Sequence, residues 1–171
     1  MRRVYGFIIL LSVILVLLSG CGASPKAEAN QFAERMPEEI GAFELEPDDR
    51  IELTAESIGS TGHVTLHYTS RNSGEVFVVI DVYGTETAAK VAVERRYRDL
   101  RLLGYSFETN RKPRALNAEI TDLPQGRIAV FERDKAVIEV QYLKDAPEEG
   151  IDEDSWELFL DSIRMVDQNL G

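Results

Sequence analysis

His63 and His67 are the only histidines in the chain, and their H-x-x-x-H spacing could serve metal chemistry. On a helix, this spacing places both imidazoles on one face, where they could bind zinc. The segment from His63 to Tyr68 instead alternates as a strand does. Along a strand the two Cα atoms would lie about 13 Å apart, whereas zinc ligands lie only about 2.1 Å from the metal. We therefore expect two exposed histidines on a strand face and no metal site.

Sequence signatures of catalysis are also missing. The chain has no G-x-S-x-G motif, so nucleophilic catalysis would need a serine–histidine pair that the fold brings together. The loop Gly59-Ser60-Thr61-Gly62 could cradle an anion, but it lacks the lysine and the following helix of a phosphate-binding loop. A hairpin connection explains this loop better. We expect no catalytic residue and no cofactor.

Cys21 is the single cysteine, so the chain cannot form an internal disulfide or supply a multi-cysteine metal site. Arg2 and Arg3 precede an uncharged apolar run over residues 4–18, as in a secretory signal. Fifteen helical residues rise about 22 Å, which is short of the roughly 30 Å hydrocarbon core of a bilayer. The run ends in Leu18-Ser19-Gly20-Cys21, which resembles the lipobox of bacterial lipoproteins.

This resemblance implies that a signal peptidase cuts between Gly20 and Cys21 and that Cys21 carries the lipid. A diacylglyceryl group would be attached to its sulfur, and an acyl chain such as palmitate to the new amino group. Two or three acyl chains give lasting membrane attachment. The protein is then exported and anchored to the cell membrane or the outer membrane, with membrane lipid as its first partner.

The charge of the chain is uneven. It has 30 acidic and 19 basic residues, which argues against a nucleic-acid partner. Without residues 1–20 the net charge changes from −11 to −13, because two arginines are lost. Residues 90–114 nevertheless carry eight bases and three acids. We expect a basic patch that could bind anionic lipid headgroups or an envelope protein partner, with a solvated helix face as the alternative. Its residues are Arg95, Arg96, Arg98, Arg101, Arg111, Lys112 and Arg114.

Three helices are predicted from apolar spacing and end signals. The first is a short helix over 27–35, which stops at Met36-Pro37. The second covers 85–103, with a threonine cap, the apolar stripe Ala89, Val93, Tyr97 and Leu100, and a stop at Gly104. The third covers 152–166, and its first part lies in an acidic run over 145–161. Its apolar stripe is headed by Trp156, which we expect to be a core residue.

Alternating segments predict strands near 42–46, 51–57, 63–70, 75–83, 105–109, 116–122, 127–133 and 136–143. The strand over 75–83 is apolar on both sides, so we expect it to be central and covered on both faces, with the N-terminal helix as a candidate cover. The order of elements predicts a single α+β domain with a mostly antiparallel sheet, two long helices and a short N-terminal helix. The predicted organisation is a signal peptide over 1–20, a lipidated cysteine and tether over 21–26, and a globular domain over 27–171.

The opening Met36-Pro37-x-x-Ile40-Gly41-x-Phe43, followed by strands and a long helix, resembles small PsbP/Mog1-like lipoprotein domains. This resemblance implies binding or assembly roles without catalysis. We therefore expect a non-catalytic, membrane-anchored envelope lipoprotein. The alternatives are an envelope hydrolase that uses its many carboxylates and a domain that encloses a small apolar ligand.

Overall fold

An eight-stranded sheet forms the centre of the domain, and every pair of neighbouring strands is antiparallel. The structure is a computed structural model that describes residues 24–46, 59–71, 74–106, 108–109, 119–144 and 150–168. The strand order is β1-β2-β3-β4-β8-β7-β6-β5. The strands are β1 (Glu39–Ile40), β2 (Phe43–Leu45), β3 (Gly62–Ser70), β4 (Gly74–Val82), β5 (Glu108–Thr109), β6 (Glu119–Leu123), β7 (Gly126–Arg133) and β8 (Ala136–Leu143).

The predicted α+β class is confirmed, and the four long strands agree with their predicted ranges to within one residue. Their alternating patterns are strong because buried apolar residues recur at every second position, as in Val64, Leu66 and Tyr68 of β3. A two-residue turn at Asp134 and Lys135 joins β7 to β8, and Asp134 adopts the left-handed backbone conformation that such turns favour. The strand predicted over 51–57 lies outside the described residues.

Within the described residues three helices flank the sheet: α1 (Pro25–Arg35), α2 (Glu86–Leu102) and α3 (Glu153–Gln168). Ser24 caps α1 by accepting a hydrogen bond from the Ala27 amide, and Thr85 caps α2 in the same way through the Ala88 amide. Asp152 precedes α3 and accepts hydrogen bonds from the amide and hydroxyl of Ser155. Helix α1 begins two residues earlier than its apolar spacing predicts, because proline is well suited to the first helical position.

Helices α1 and α3 cover one face of the sheet. The apolar residues of β4 on this face, from Val76 to Val82, lie with the alternate residues of β3 and β8 in the larger hydrophobic core. Trp156 is buried there, as predicted, and Phe159 packs edge-to-face against both Phe43 and Tyr68. The predicted α3 stripe is therefore the part of the helix that contacts the sheet.

Helix α2 lies alone among the described helices on the other face, where its predicted stripe packs against β7 and β8 in a second core. Strand β4 is central, as predicted, but α1, the expected cover of its second face, lies on the first face together with α3. Phe77, Val79 and Asp81 remain half-buried, because α1 packs on the same face as α3 while α2 lies over β7 and β8. A strip of the second face along β3 and β4 is left uncovered by the described helices.

Candidate functional site

A cleft of about 310 Å³ lies where α2 borders the uncovered strip of the sheet. Its floor comes from β3, β4 and β8, and its wall comes from Ala92, Arg95, Arg96 and Asp99 of α2. These four residues share one side of the helix because they are spaced three or four positions apart. The cleft exists because the buried stripe of α2 turns toward β7 and β8, so that this side of the helix stands beside β4.

A hydrogen-bonded chain of three side chains lies in and beside the cleft. His63 and Asp81 are directly opposite each other on β3 and β4, and His63 Nδ1 lies 2.7 Å from Asp81 Oδ1. On the other side of the ring, His63 Nε2 lies 3.1 Å from Thr65 Oγ1. If Nδ1 carries the proton, it donates to the carboxylate and Nε2 accepts from the threonine hydroxyl. Carboxylate, imidazole and hydroxyl stand in the same order in the triads of serine hydrolases.

His63 is only 8% exposed and the side chain of His67 only 15%, so the prediction of two exposed histidines is wrong. The strand pattern of His63 was recognised correctly, but Asp81 on the neighbouring strand and Thr65 on its own strand lie against the ring. His67 lies further along the same face and stacks on Phe77, with ring centroids 4.4 Å apart. Its Nε2 lies 3.4 Å from Glu75. Both histidines therefore lie against carboxylates of β4.

Arg96 and Glu139 form a second polar group on the opposite side of the cleft. The guanidinium donates from Nε and Nη2 to the two carboxylate oxygens at 2.6 and 2.5 Å. Gln141 donates to the same carboxylate at 2.5 Å. The hydrogen bond to Glu139 raises the pKa of Arg96 above its ordinary value, despite the opposing effect of burial. Glu139 is itself buried, so the pair fixes α2 against β8 as well as lining the cleft.

Tyr83 closes the end of the cleft where β4 leads into α2. Burial and the neighbouring negative charge of Asp81 raise its pKa from 10.0 to about 12, while Arg95 has a smaller effect in the opposite direction. The phenol is therefore neutral at physiological pH. The cleft combines a neutral phenol with the apolar side chains of Val79, Val137 and Ala92.

The predicted basic patch is divided by the structure. Arg95 and Arg96 line the cleft, whereas Arg98 and Arg101 do not. Arg98 neighbours Arg95 on the outer surface of α2, because the two are three residues apart. Arg98 is within 3.9 Å of Asp99, and the guanidinium of Arg101 lies 6.0 Å from the centre of the Tyr97 ring. The charge of Arg96 is matched by Glu139. Arg111, Lys112 and Arg114 lie outside the described residues, as do Gly20 and Cys21.

Asp81 and Glu139 are the functional candidates that the sequence reasoning missed. Each is the one charged residue in an apolar run of its strand, Asp81 in residues 76–82 and Glu139 in residues 136–140. Burying a charged residue at such a position costs free energy unless the charge is paired. The isolated acid in an apolar run was therefore the sequence signal that could have identified these two residues. The partner of Asp81 is His63 and that of Glu139 is Arg96. Both partners are distant in sequence and could not be assigned from a local pattern.

Within the described ranges, no group of three or more histidine, cysteine, aspartate or glutamate side chains is placed to hold a metal ion. None of the helices in the same residues is long and apolar enough to cross a membrane. Comparison of the chain with protein-family models, with curated proteins and with solved structures finds no match.

Proposed function

We propose that this chain is a lipid-anchored protein of the cell envelope whose domain is a non-catalytic binding or assembly module, with the cleft beside α2 as its ligand site. The observation that carries the proposal is the cleft itself. Val79 and Val137 on its floor lie among polar groups that already hold one another in place through the His63–Asp81 and Arg96–Glu139 pairs. Groups fixed in this way lose little conformational freedom when a ligand arrives.

The volume and lining of the cleft favour a small ligand with an apolar body. Binding pockets for small molecules commonly measure about 300–1,000 Å³ and combine apolar walls with a few oriented polar groups. At about 310 Å³ the cleft is at the lower end of that range. Tyr83 and Gln141 offer hydrogen-bonding groups, and Arg95 offers a positive charge at the wall. A partly apolar molecule with one polar or anionic end fits this lining.

The start of α1 supports the anchoring half of the proposal. Only three residues separate Cys21 from Pro25, and a fully extended chain covers at most about 3.6 Å per residue. Pro25 is pressed against the beginning of β3, where its carbonyl approaches Gly62 closely. A lipid on Cys21 would therefore hold the domain within about 15 Å of the bilayer.

Cys21→Ala tests the anchor. We expect this variant to lose incorporation of labelled palmitate and to leave the membrane fraction after a carbonate wash, because the thiol is the acceptor of the diacylglyceryl group. Ala23→Ser, which keeps the thiol and changes a neighbouring residue, should retain both properties. A Cys21→Ala protein that is still labelled would contradict the lipid assignment.

Val79→Trp tests the cleft. Val79 lies on the floor, so an indole at this position should fill the space and exclude a ligand. Native mass spectrometry of the detergent-purified protein should show a bound small molecule in the unaltered chain and in Val91→Trp, a matched control on the outer side of α2. The same mass should be absent from Val79→Trp. Equal occupancy in all three proteins, or none in any, would remove the cleft from the proposal.

A hydrolase is the second candidate, and the Asp81–His63–Thr65 chain is the observation that favours it. If Thr65 is a nucleophile activated by His63, the protein should release nitrophenolate from a p-nitrophenyl ester. Thr65→Val preserves the shape of the side chain and should abolish that activity. Thr69→Val is the matched control, since Thr69 lies on the same strand and bonds Glu46 instead. Activity that survives Thr65→Val would exclude this mechanism.

A further inference from the structure

The outer side of α2 carries an unusual mixture of apolar and basic side chains. Val91, Arg95, Arg98 and Leu102 follow one another at intervals of four, three and four residues, which places them in one row along the helix. Val91 is 55% exposed and Leu102 is 80% exposed. The row points away from the second core, because Ala89, Val93, Tyr97 and Leu100 fill the inner side of the same helix.

The outer side of α3 carries a row with the same spacing and the opposite charge. Asp154, Leu158, Asp161 and Met165 are also four, three and four residues apart, and all four are exposed. Leu158 is 47% exposed and Met165 is 56% exposed. Four of the five large apolar side chains exposed in the described residues therefore lie on these two rows.

The two rows are complementary in charge as well as in spacing. One offers two arginines between two apolar side chains, and the other offers two aspartates alternating with two apolar side chains. Residues of this kind pack by contact between the apolar groups, while the ion pairs select the partner and fix the register. The two helices of one molecule cannot meet, because α2 and α3 lie on opposite faces of the sheet.

We propose that a second copy of this chain docks through its α3 row on the α2 row of the first. The contact joins two different surfaces, so each pair leaves one α2 row and one α3 row unoccupied. Such an interface is heterologous, and its repetition gives a closed ring or an open filament of molecules. It does not depend on the lipid, although attachment to one membrane would raise the local concentration of the chains.

Cysteine cross-linking in membranes tests this arrangement with the full-length protein. Arg98→Cys and Asp161→Cys, produced as separate variants in the same cells, should give a disulfide-linked dimer that contains one copy of each. A single chain with both substitutions should give a ladder of dimers, trimers and larger species. The unaltered chain shows any cross-link that Cys21 itself contributes, and Arg101→Cys paired with Asp161→Cys is the matched control from another side of α2.

Charge reversal provides the second measurement. Arg98→Glu in the α2 row should reduce, several-fold, the cross-linking of an Arg95→Cys and Asp161→Cys pair. High salt should have the same effect, because exposed ion pairs are screened. Dimers of Arg98→Cys with itself would show a symmetric contact and overturn the proposal. No cross-linking beyond that of the unaltered chain and the Arg101→Cys control would also overturn it, whatever the outcome of palmitate labelling.

Discussion

Arg96 of α2 holds both carboxylate oxygens of Glu139 on β8, and this contact joins the only described helix on its face to the centre of the sheet. Tyr97, the next residue, donates a hydrogen bond to the backbone carbonyl of Val130, which is the register partner of Glu139 on β7. Two adjacent helix residues thus fix α2 over one position of the β7–β8 pair. The position of the cleft wall follows from these two contacts.

Arg96→Ala should lower the free energy of unfolding by about 1–3 kcal/mol, because it leaves the buried Glu139 carboxylate without its charged partner. Arg98→Ala should change it by less than about 0.5 kcal/mol, since Arg98 has only a distant exposed contact with Asp99. Urea unfolding measures both. The double variant Arg96→Met/Glu139→Leu should recover most of the loss, because no unpaired charge remains. Equal stability of Arg96→Ala and the unaltered protein would show that the ion pair does not fix α2.

Gly62→Ala should destabilise the domain by about 1–3 kcal/mol through overpacking. A Cβ atom at this position would lie 2.2 Å from the Pro25 carbonyl oxygen, which is backbone and cannot rotate away. The start of α1 should therefore be displaced, and limited proteolysis near residue 25 should become faster. Gly84→Ala is the control, because its Cβ would meet no atom within 4 Å. Similar protease sensitivity of the two variants would contradict this account of how α1 docks.

Asp152→Ala should cost about 1 kcal/mol, the usual effect of losing a helix cap. The hydroxyl and amide of Ser155 hold the pKa of Asp152 below its ordinary value of 3.8. The stabilisation is therefore present above pH 4 and is lost as the pH falls through the lower pKa of the folded state. Thermal unfolding of both proteins at neutral and acid pH should show a difference that shrinks in acid. Asp161→Ala removes the exposed pair with Arg164 within the domain and should cost about 0.2–0.5 kcal/mol.

Tyr83 should make the domain less stable in alkali. Because its folded pKa is raised from 10.0 to about 12, the contribution of the neutral phenol is fully present below pH 10 and is lost between pH 10 and about 12. The loss approaches about 1.4 kcal/mol for each pH unit in that interval. Tyr83→Phe cannot ionise, so its urea unfolding at pH 9 and pH 11 should lack this component. If the free energy of unfolding changed equally with pH in the unaltered protein and in Tyr83→Phe, the raised pKa of Tyr83 would be contradicted.

The helices and long strands could be predicted because their signals are local. The stripe of Ala89, Val93, Tyr97 and Leu100 repeats with the helical period, and all four residues are buried. The cleft could not be predicted in this way. Asp81 and His63 are 18 residues apart, and Arg96 and Glu139 are 43 apart, so each pair depends on which strands become neighbours. Treating residues 90–114 as one basic patch failed to separate Arg96 from Arg98 because charge counts do not record the side of the helix.

The sequence by itself determined the α+β class, the apolar sides of the helices and strands, and the lipobox-like motif that ends at Cys21, because these features depend on residue type and short-range spacing. Tertiary structure decided that α1 and α3 share one face of the sheet while α2 occupies the other. That division leaves no described helix over the strip beside α2 and directs two charged rows outward in opposite directions. The pairing of β3 with β4 places Asp81 against His63. These outcomes arise from packing between elements that are distant in the chain, and such packing has no local signature.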